Sequence, residues 1–370
     1  MTGETERAYW VLLSTATGVG PIRFQRLLQV CGSAEAAWRA SDLELHAAGL
    51  EHRTIANLKR LRQKTSVAST FENLARLGIT TLTLLDDSYP PALREIADPP
   101  PVLFVRGCLT DRDSQAVAMV GTREATSYGR AVAAQLAHGL SKAGVTVVSG
   151  LARGVDTAAH RAAIESGGRT LAVLGNGLDQ VYPAENRTLA SHILEREQGA
   201  LISEFAPGVP PDAVNFPRRN RIIAGLSRVV VIVEADLRSG ALITADFALE
   251  QGREVMTVPG SILSRLSAGT NDLLKQGATA VTCVDDILNQ LDPLGASIPS
   301  ADPPLAHRLR SDKLSPQEKS VWDALDGDPR HVDELARLLR CGAGDVSASL
   351  AMLELQGLAR QVGTMVYTRA

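Results

Sequence analysis

The chain has 370 residues, 45% hydrophobic content and a formal net charge of −3, enough for ample buried core and two or three domains. That charge excludes a uniformly basic nucleic-acid binder, so such a function would rest on a local concentration of Arg and Lys. The polar, acidic opening MTGETERAYW does not read as a signal peptide, no apolar run approaches the roughly 18 residues that span a bilayer, and Cys31, Cys108, Cys283 and Cys341 form no CxxC pair. A cytoplasmic protein without a metal site or disulfide framework is expected.

Residues 1–80 carry apolar positions at helical spacing, broken by turns such as Gly18–Gly20 and Cys31–Ser33, which predicts a small all-α domain. Within it, GVGPIRFQRLL is a glycine turn opening a helix, the arrangement by which helix-hairpin-helix modules offer backbone amides to a phosphate. A plain structural turn explains the same residues. Residues 1–64 hold nine basic and six acidic groups.

Across 81–290, after the proline-rich YPPALREIADPPP, short β-branched runs alternate with alanine-rich helical segments. AVAMVG, VTVVSG, TLAVLG, VVVIVEA and EVMTVPG are nearly continuous in apolar residues, as strands buried on both faces of a parallel sheet are. The class predicted is α/β, with a doubly wound parallel sheet. Gly121, Gly150, Gly175 and Gly260 then fall at the carboxyl ends of strands, the edge where open α/β sheets bind ligands. Residues 291–311 form a linker rich in Pro, Ser and Ala, and 312–370 follow the helix, helix, turn, helix, two-strand rhythm of a winged helix.

The strand-end loops GTREATSYG, SGLARGVDTAAH, GNGLDQVYP, NFPRRNRIIAG and EADLRSGALITA are rich in glycine, hydroxyls and arginine together. Glycine admits close backbone approach, helix N-termini present open N–H groups, and Arg supplies a forked charge, which together make a phosphate site. Arg123, Arg153, Arg218, Arg219, Arg221 and Arg238 belong to this set. The same arginines could instead pair with Asp156, Glu204, Glu234 or Asp236 and hold the loops in shape. No GxGxxG follows the first strand and no GxxxxGK[ST] occurs, so neither a dinucleotide nor a P-loop nucleotide is supported. No cofactor signature is present. Ser149, Ser239, Thr244 and His160 lie near the crevice, but no GxSxG elbow sets a nucleophile beside a base, and Asp156 and His160, four residues apart on one helix face, read more readily as a structural pair.

The segments VGTREATSYG, SGLARGVDTAAHRAAIESGGRTLAVLGNGLDQVYPAEN, LISEFAPG, NFPRRNRIIAGLS, VVVIVEADLRSGALITADFAL and VPGSILSRLSAGTNDLLKQGA resemble the DNA-processing protein A family, also called Smf, over nearly the whole central region. The resemblance implies an extended Rossmann fold flanked by a sterile-alpha-motif-like N-terminal region and a C-terminal winged helix. It implies a non-enzymatic protein that binds single-stranded DNA, dimerises through the Rossmann-like domain and loads the RecA recombinase during transformation or recombination. Carried over by motif, the DNA-binding residues are Gly121 and Arg123; Ser149, Gly150 and Arg153; Phe216, Arg218, Arg219, Asn220 and Arg221; and Ser239, Gly240 and Thr244; Arg187, near YPAEN, is a local candidate.

Base stacking would fall to Phe216, Tyr128 and Tyr182, because aromatics make up only 4% of the chain. The winged helix holds nine acidic and seven basic groups and its expected recognition helix, GDVSASLAMLELQG, has no Lys or Arg. Major-groove readout is not expected, although Arg330, Arg337, Arg340, Arg360 and Arg369 leave room for weak duplex-backbone contact. A competing reading is a nucleotide-processing enzyme of the lysine-decarboxylase-like phosphoribohydrolase type. Those enzymes carry PGGxGTxxE, and RSGALITADF lacks both the second glycine and the glutamate.

Overall fold

The computed structural model describes residues 2–195, 198–291, 315–325, 330–355, 359–363 and 365–369, in two units, Met1–Pro299 and Ser300–Ala370. The first unit opens with six helices: α1 Thr2–Ser14, α2 Pro21–Cys31, α3 Ala34–Arg39, α4 Asp42–Ala47, α5 His52–Lys64 and α6 Val67–Arg76. Their starts are written locally. Ser41 and Glu44 form a reciprocal capping box at α4, and Ser66 does the same with Ser69 at α6. Leu12, Phe24, Leu27, Leu45 and Leu58 are buried between these helices, in a cluster that continues into Phe104, Ala172, Leu174 and Leu201 of the central sheet. The helical region therefore shares its core with the sheet.

The chain then runs through β1 Thr80–Thr83, α7 Pro91–Arg94, β2 Val102–Gly107, β3 Val117–Val120, α8 Ser127–Lys142, β4 Val147–Ser149, α9 Val155–Glu165, β5 Thr170–Val173, α10 Arg187–Leu194 and β6 Gly199–Ser203. It continues through α11 Asn215–Gly225, β7 Val229–Ile232, α12 Gly240–Glu250, β8 Glu254–Thr257, α13 Ala268–Lys275, β9 Thr279–Ala280 and α14 Val284–Leu291. The strands form one nine-stranded sheet in the order β1-β2-β6-β5-β4-β3-β7-β8-β9. From β6 to β9 all neighbours are parallel, whereas β2 pairs antiparallel with both β1 and β6. The five runs read as strands are β3, β4, β5, β7 and β8. Alternate residues of these strands enter opposite layers: Ala118, Val120, Val230 and Ile232 pack with α11 and α12, while Val117, Met119, Val229 and Val231 pack with α8, α9 and α14.

From β3 the chain winds outward through β4, β5 and β6 on one side and, from β7, through β8 and β9 on the other. The connections leaving β3 and β7 diverge at their carboxyl ends, and this topological switch point is where such a sheet opens a crevice.

The second unit contains α15 Pro316–Ala324, β10 Arg330–His331, α16 Val332–Leu339, α17 Ala343–Leu355, β11 Ala359–Gly363 and β12 Val366–Arg369, with the strands in the order β10-β12-β11. Val321, Leu325, Val332, Leu335, Val346, Leu350 and Leu353 form its core. This is a winged helix with α17 in the recognition position. The expected linker lies outside the described residues except for Leu291. Among the described residues no helix is long and apolar enough to cross a membrane.

Candidate nucleic-acid interface

A crevice of about 670 Å³ lies at the switch point. One wall is the β3–α8 loop, with Gly121, Thr122 and Arg123; the opposite wall is the β7–α12 loop, with Asp236, Arg238, Ser239 and Gly240; Phe216, Arg219, Asn220 and Thr244 also line it. The first loop is fixed by backbone packing. Thr122 N–H donates to the Glu234 carbonyl at 2.7 Å, and a side chain on Gly121 would start 2.5 Å from Val155 Cγ2, so glycine is required by close approach. The buried Glu234 carboxylate accepts from Thr126 N–H and Thr126 Oγ1, both at 2.8 Å, and so holds the start of α8.

The β4–α9 loop is held the same way. Asp156 accepts from the N–H groups of Gly150 at 3.0 Å and Ala152 at 3.2 Å, while His160 Nε2 accepts from Leu151 N–H at 3.3 Å and its Nδ1 faces Thr170 Oγ1 at 2.7 Å. Because the Thr170 hydroxyl donates to the Val147 carbonyl, Nδ1 carries the proton. Burial, reinforced by the charge of Arg219, drives His160 down to about 3, and burial raises Asp156 above the usual carboxylate range. Asp156 is bonded to loop backbone and His160 to loop backbone and the Thr170 hydroxyl, in keeping with a structural pair.

The NFPRRNR segment carries the main correction. Its place among the strand-end loops predicts arginines that share one edge, but the segment forms helix α11, and a helix turns successive residues by about 100°. Phe216, Arg219, Asn220 and Ile223 therefore line the crevice, and Arg218 and Arg221 do not. Arg221, 3% exposed, is enclosed by Glu204 at 2.5 Å and Asp98 at 3.1 Å, with the Glu204 carboxyl pushed up by burial; its assignment to DNA contact is withdrawn. Arg218 lies over the Phe205 ring at 5.5 Å, outside the crevice. Ser149 is also withdrawn, since its buried hydroxyl donates to the Met119 carbonyl at 2.6 Å.

Arg219 is 4% exposed and works as a clamp as well as a lining residue. It donates to the carbonyls of Gly150, at 2.7 Å, and Val173, at the ends of β4 and β5, and burial lowers it to about 10. Asn220 accepts from Arg219 Nε and donates to the Gly240 carbonyl, both at 3.2 Å, tying α11 to the start of α12. Ser239 caps α12 through Ala241 N–H at 3.3 Å, and nothing lies within 4 Å of a Cβ placed on Gly240, so this helix start opens onto the crevice.

The exposed charges differ from the buried ones. Arg123 has no carboxylate partner among the described residues and lies 5.1 Å over the Phe216 ring, which in turn stacks with Tyr182 at 5.7 Å and 28°. Such a cation–π contact preorganises the guanidinium at the rim. Gly175 makes room for Phe216, because a Cβ there would lie 2.8 Å from the ring. Tyr128, the third aromatic candidate, instead donates to the Pro259 carbonyl at 3.0 Å and is not among the crevice residues. Arg153 forks onto Glu185 across the surface, at 2.9 Å for its Nη2 contact. Arg153, Arg187 and Arg106 line a second hollow of about 760 Å³, which shares Tyr182 and Pro211 with the crevice. The sequence reading missed Arg106 and Arg265. Arg265 lines the crevice and bonds Asp236 at 3.1 Å, and its only sequence signal was its place in the SILSRLS loop.

A family model described as DNA recombination-mediator protein A matches residues 80–292, and a DprA winged helix model matches 300–363. The chain belongs to the DNA recombination-mediator protein A (DprA/Smf) family. It is 36% identical over 401 residues to Protein Smf of Synechocystis sp., covering 99% of each chain, and 50% identical over 203 residues to Protein Smf of Escherichia coli, covering 55% of this chain and 54% of that one. Its fold is similar to the X-ray structure of DprA from Streptococcus pneumoniae, with TM-score 0.65 and 35% identity over 76% of this chain and 96% of that one. It is also similar to the Helicobacter pylori DprA whose single-stranded DNA binding mode has been described, with TM-score 0.52 and 31% identity over 58% of this chain and 95% of that one.

Proposed function

We propose that this protein binds single-stranded DNA along the switch-point crevice and acts as a recombination mediator, without catalysing a reaction of its own. The observation that carries the reading is Arg123, without a carboxylate partner among the described residues and held over Phe216 beside Tyr182. A guanidinium at a stacking platform suits a phosphate and its neighbouring base, as in other sequence-tolerant strand binders. Arg238, the open start of α12 at Gly240 and the Ser239 and Thr244 side chains would take further phosphate oxygens. Gly121, Gly150 and Asn220 shape the path, Arg219 adds a buried positive charge to its floor, and Arg153 and Arg187 would receive the strand in the second hollow. The similarity to the Helicobacter pylori DprA supports the choice of ligand.

The non-enzymatic reading is supported by Asp156, which accepts from the loop N–H groups of Gly150 and Ala152, and by His160, whose two ring nitrogens face Leu151 N–H and Thr170 Oγ1. Ile262 and Leu263, 93% and 92% exposed on the loop that follows β8, support a homodimer through the Rossmann-like domain, because adjacent bare aliphatic side chains favour burial by a second copy. Two joined crevices would hold one strand with avidity and present it to RecA. Fluorescence anisotropy of a labelled oligo-dT strand against salt tests the reading. Binding that weakens log-linearly with salt is expected, and absence of binding at low salt, or release of base from purine monophosphates, would overturn it.

A further inference from the structure

We infer that the exposed face of α5 carrying Arg53, Arg60 and Lys64 is a second single-strand contact, taking up the DNA where it leaves the crevice past Arg218. The inference rests on the reading of the crevice as a single-strand site. Helix α5 contains five Arg and Lys residues and no Asp or Glu. Two of the five have structural work: Lys59 pairs with Asp42 at 3.0 Å, and Arg62 donates to the carbonyls of Ala37 and Ala40, both at 3.0 Å. Arg53, Arg60 and Lys64 remain. Their spacing of seven and four residues sets them on one helical face, with Asn57 between the first two, and all three are exposed. Among the described residues Arg60 bonds Asn57 Oδ1 at 2.7 Å and the Ala56 carbonyl at 3.4 Å, and no described carboxylate pairs with any of the three. Elsewhere in the same helical region some cations have carboxylate partners, as in Arg39 with Glu35 and Arg23 with Glu51, while exposed Arg76 bonds Asn73 Oδ1 instead; what sets the α5 cations apart is that three of them share one face.

Position distinguishes this stripe from a merely solvated face. The Thr17–Gly20 turn bridges α5 and α11. On one side Asn57 Nδ2 donates to the Thr17 carbonyl at 3.4 Å and Thr54 packs 2.8 Å from where a side chain on Gly18 would begin; on the other, Arg218 Nη2 lies 3.5 Å from the corresponding point on Gly20. Arg218, turned out of the crevice by the helical form of α11 and braced on Phe205, stands between the two sites. The stripe from Arg53 to Lys64 runs about 16 Å at 1.5 Å per residue, long enough to meet several phosphates of an extended strand. A flexible polyanion already held in the crevice is the partner that fits this continuity, since it reaches the second site at high effective concentration.

The test compares the full chain with R53Q/R60Q/K64Q on oligo-dT strands of increasing length, by anisotropy over a salt series. On strands confined to the crevice the variant is expected to match the wild type. On long strands it is expected to bind several-fold more weakly, with a salt slope reduced by about 1.4–2, from roughly 0.7 per lost phosphate contact. An unchanged slope on long strands, equal weakening on short and long strands, or weakening confined to duplex DNA would overturn the inference. If Arg123→Ala weakens short-strand binding while the triple variant leaves long-strand binding intact, the crevice reading stands and only the α5 contact falls; an Arg123→Ala variant without effect would remove the crevice reading itself.

Discussion

Arg219 donates to the Gly150 carbonyl at 2.7 Å, and its guanidinium fills the space where a side chain on Gly150 would begin, with Nη2 only 2.5 Å from that point. A methyl group there forces Arg219 off the carbonyls of Gly150 and Val173 and strands a buried charge. Gly150→Ala is therefore expected to cost about 1–3 kcal/mol, read as a lower urea midpoint. An unchanged midpoint would show that Arg219 does not clamp the two strand ends.

Arg221 gives a sharper separation of structure from binding. Removing it alone leaves Glu204 buried without its partner, for which about 3–5 kcal/mol is expected. Arg221→Leu with Glu204→Leu should recover much of that loss. Strand affinity, measured where both variants are folded, should match the wild type; a specific loss of affinity would return Arg221 to the DNA path.

His160 makes the fold acid-sensitive. Its folded value of about 3 lies below the ordinary 6.5, so the unfolded chain binds the extra proton between those values. The stabilisation is fully present above pH 6.5 and is lost as pH falls toward 3, at up to about 1.4 kcal/mol per pH unit. Asp156, raised by burial, acts in the opposite direction, so the comparison with His160→Gln isolates the imidazole. The variant should lose close to one proton from the slope of stability against pH in that window, and an unaltered slope would contradict the buried neutral ring.

The fork between Arg153 and Glu185 sets a carboxylate where a phosphate is proposed to bind. Its bonding draws the Glu185 carboxyl below the usual range and raises Arg153. Glu185→Gln frees the guanidinium, so tighter strand binding at low salt and a slope steeper by about 0.7 are expected. Weaker binding would indicate that Glu185 positions Arg153 rather than competing for it.

The parallel strands β3, β4, β5, β7 and β8 were legible because burial on both faces leaves continuous apolar runs. The antiparallel strands β1 and β2 were not, since TTLT is short and polar and VLFVRG follows a proline run that reads as a linker. β6, GALIS, opens on a glycine and ends on a serine, so its apolar run is too short to signal a strand. At the site, Gly121, Arg123, Ser239 and Gly240 follow from loop chemistry. The fates of Arg218, Arg219 and Arg221 do not, because they depend on the helical rotation of α11 and on Glu204 and Asp98, carboxylates supplied from other parts of the chain.

The proposed strand grip depends on the Arg123 guanidinium held beside the aromatic platform of Phe216 and Tyr182. Arg123→Ala, checked for an unchanged melting temperature and titrated with oligo-dT from low to high salt, measures it directly. Weaker binding and a salt slope shallower by about 0.7 are expected; wild-type affinity and slope would show that Arg123 does not touch the strand.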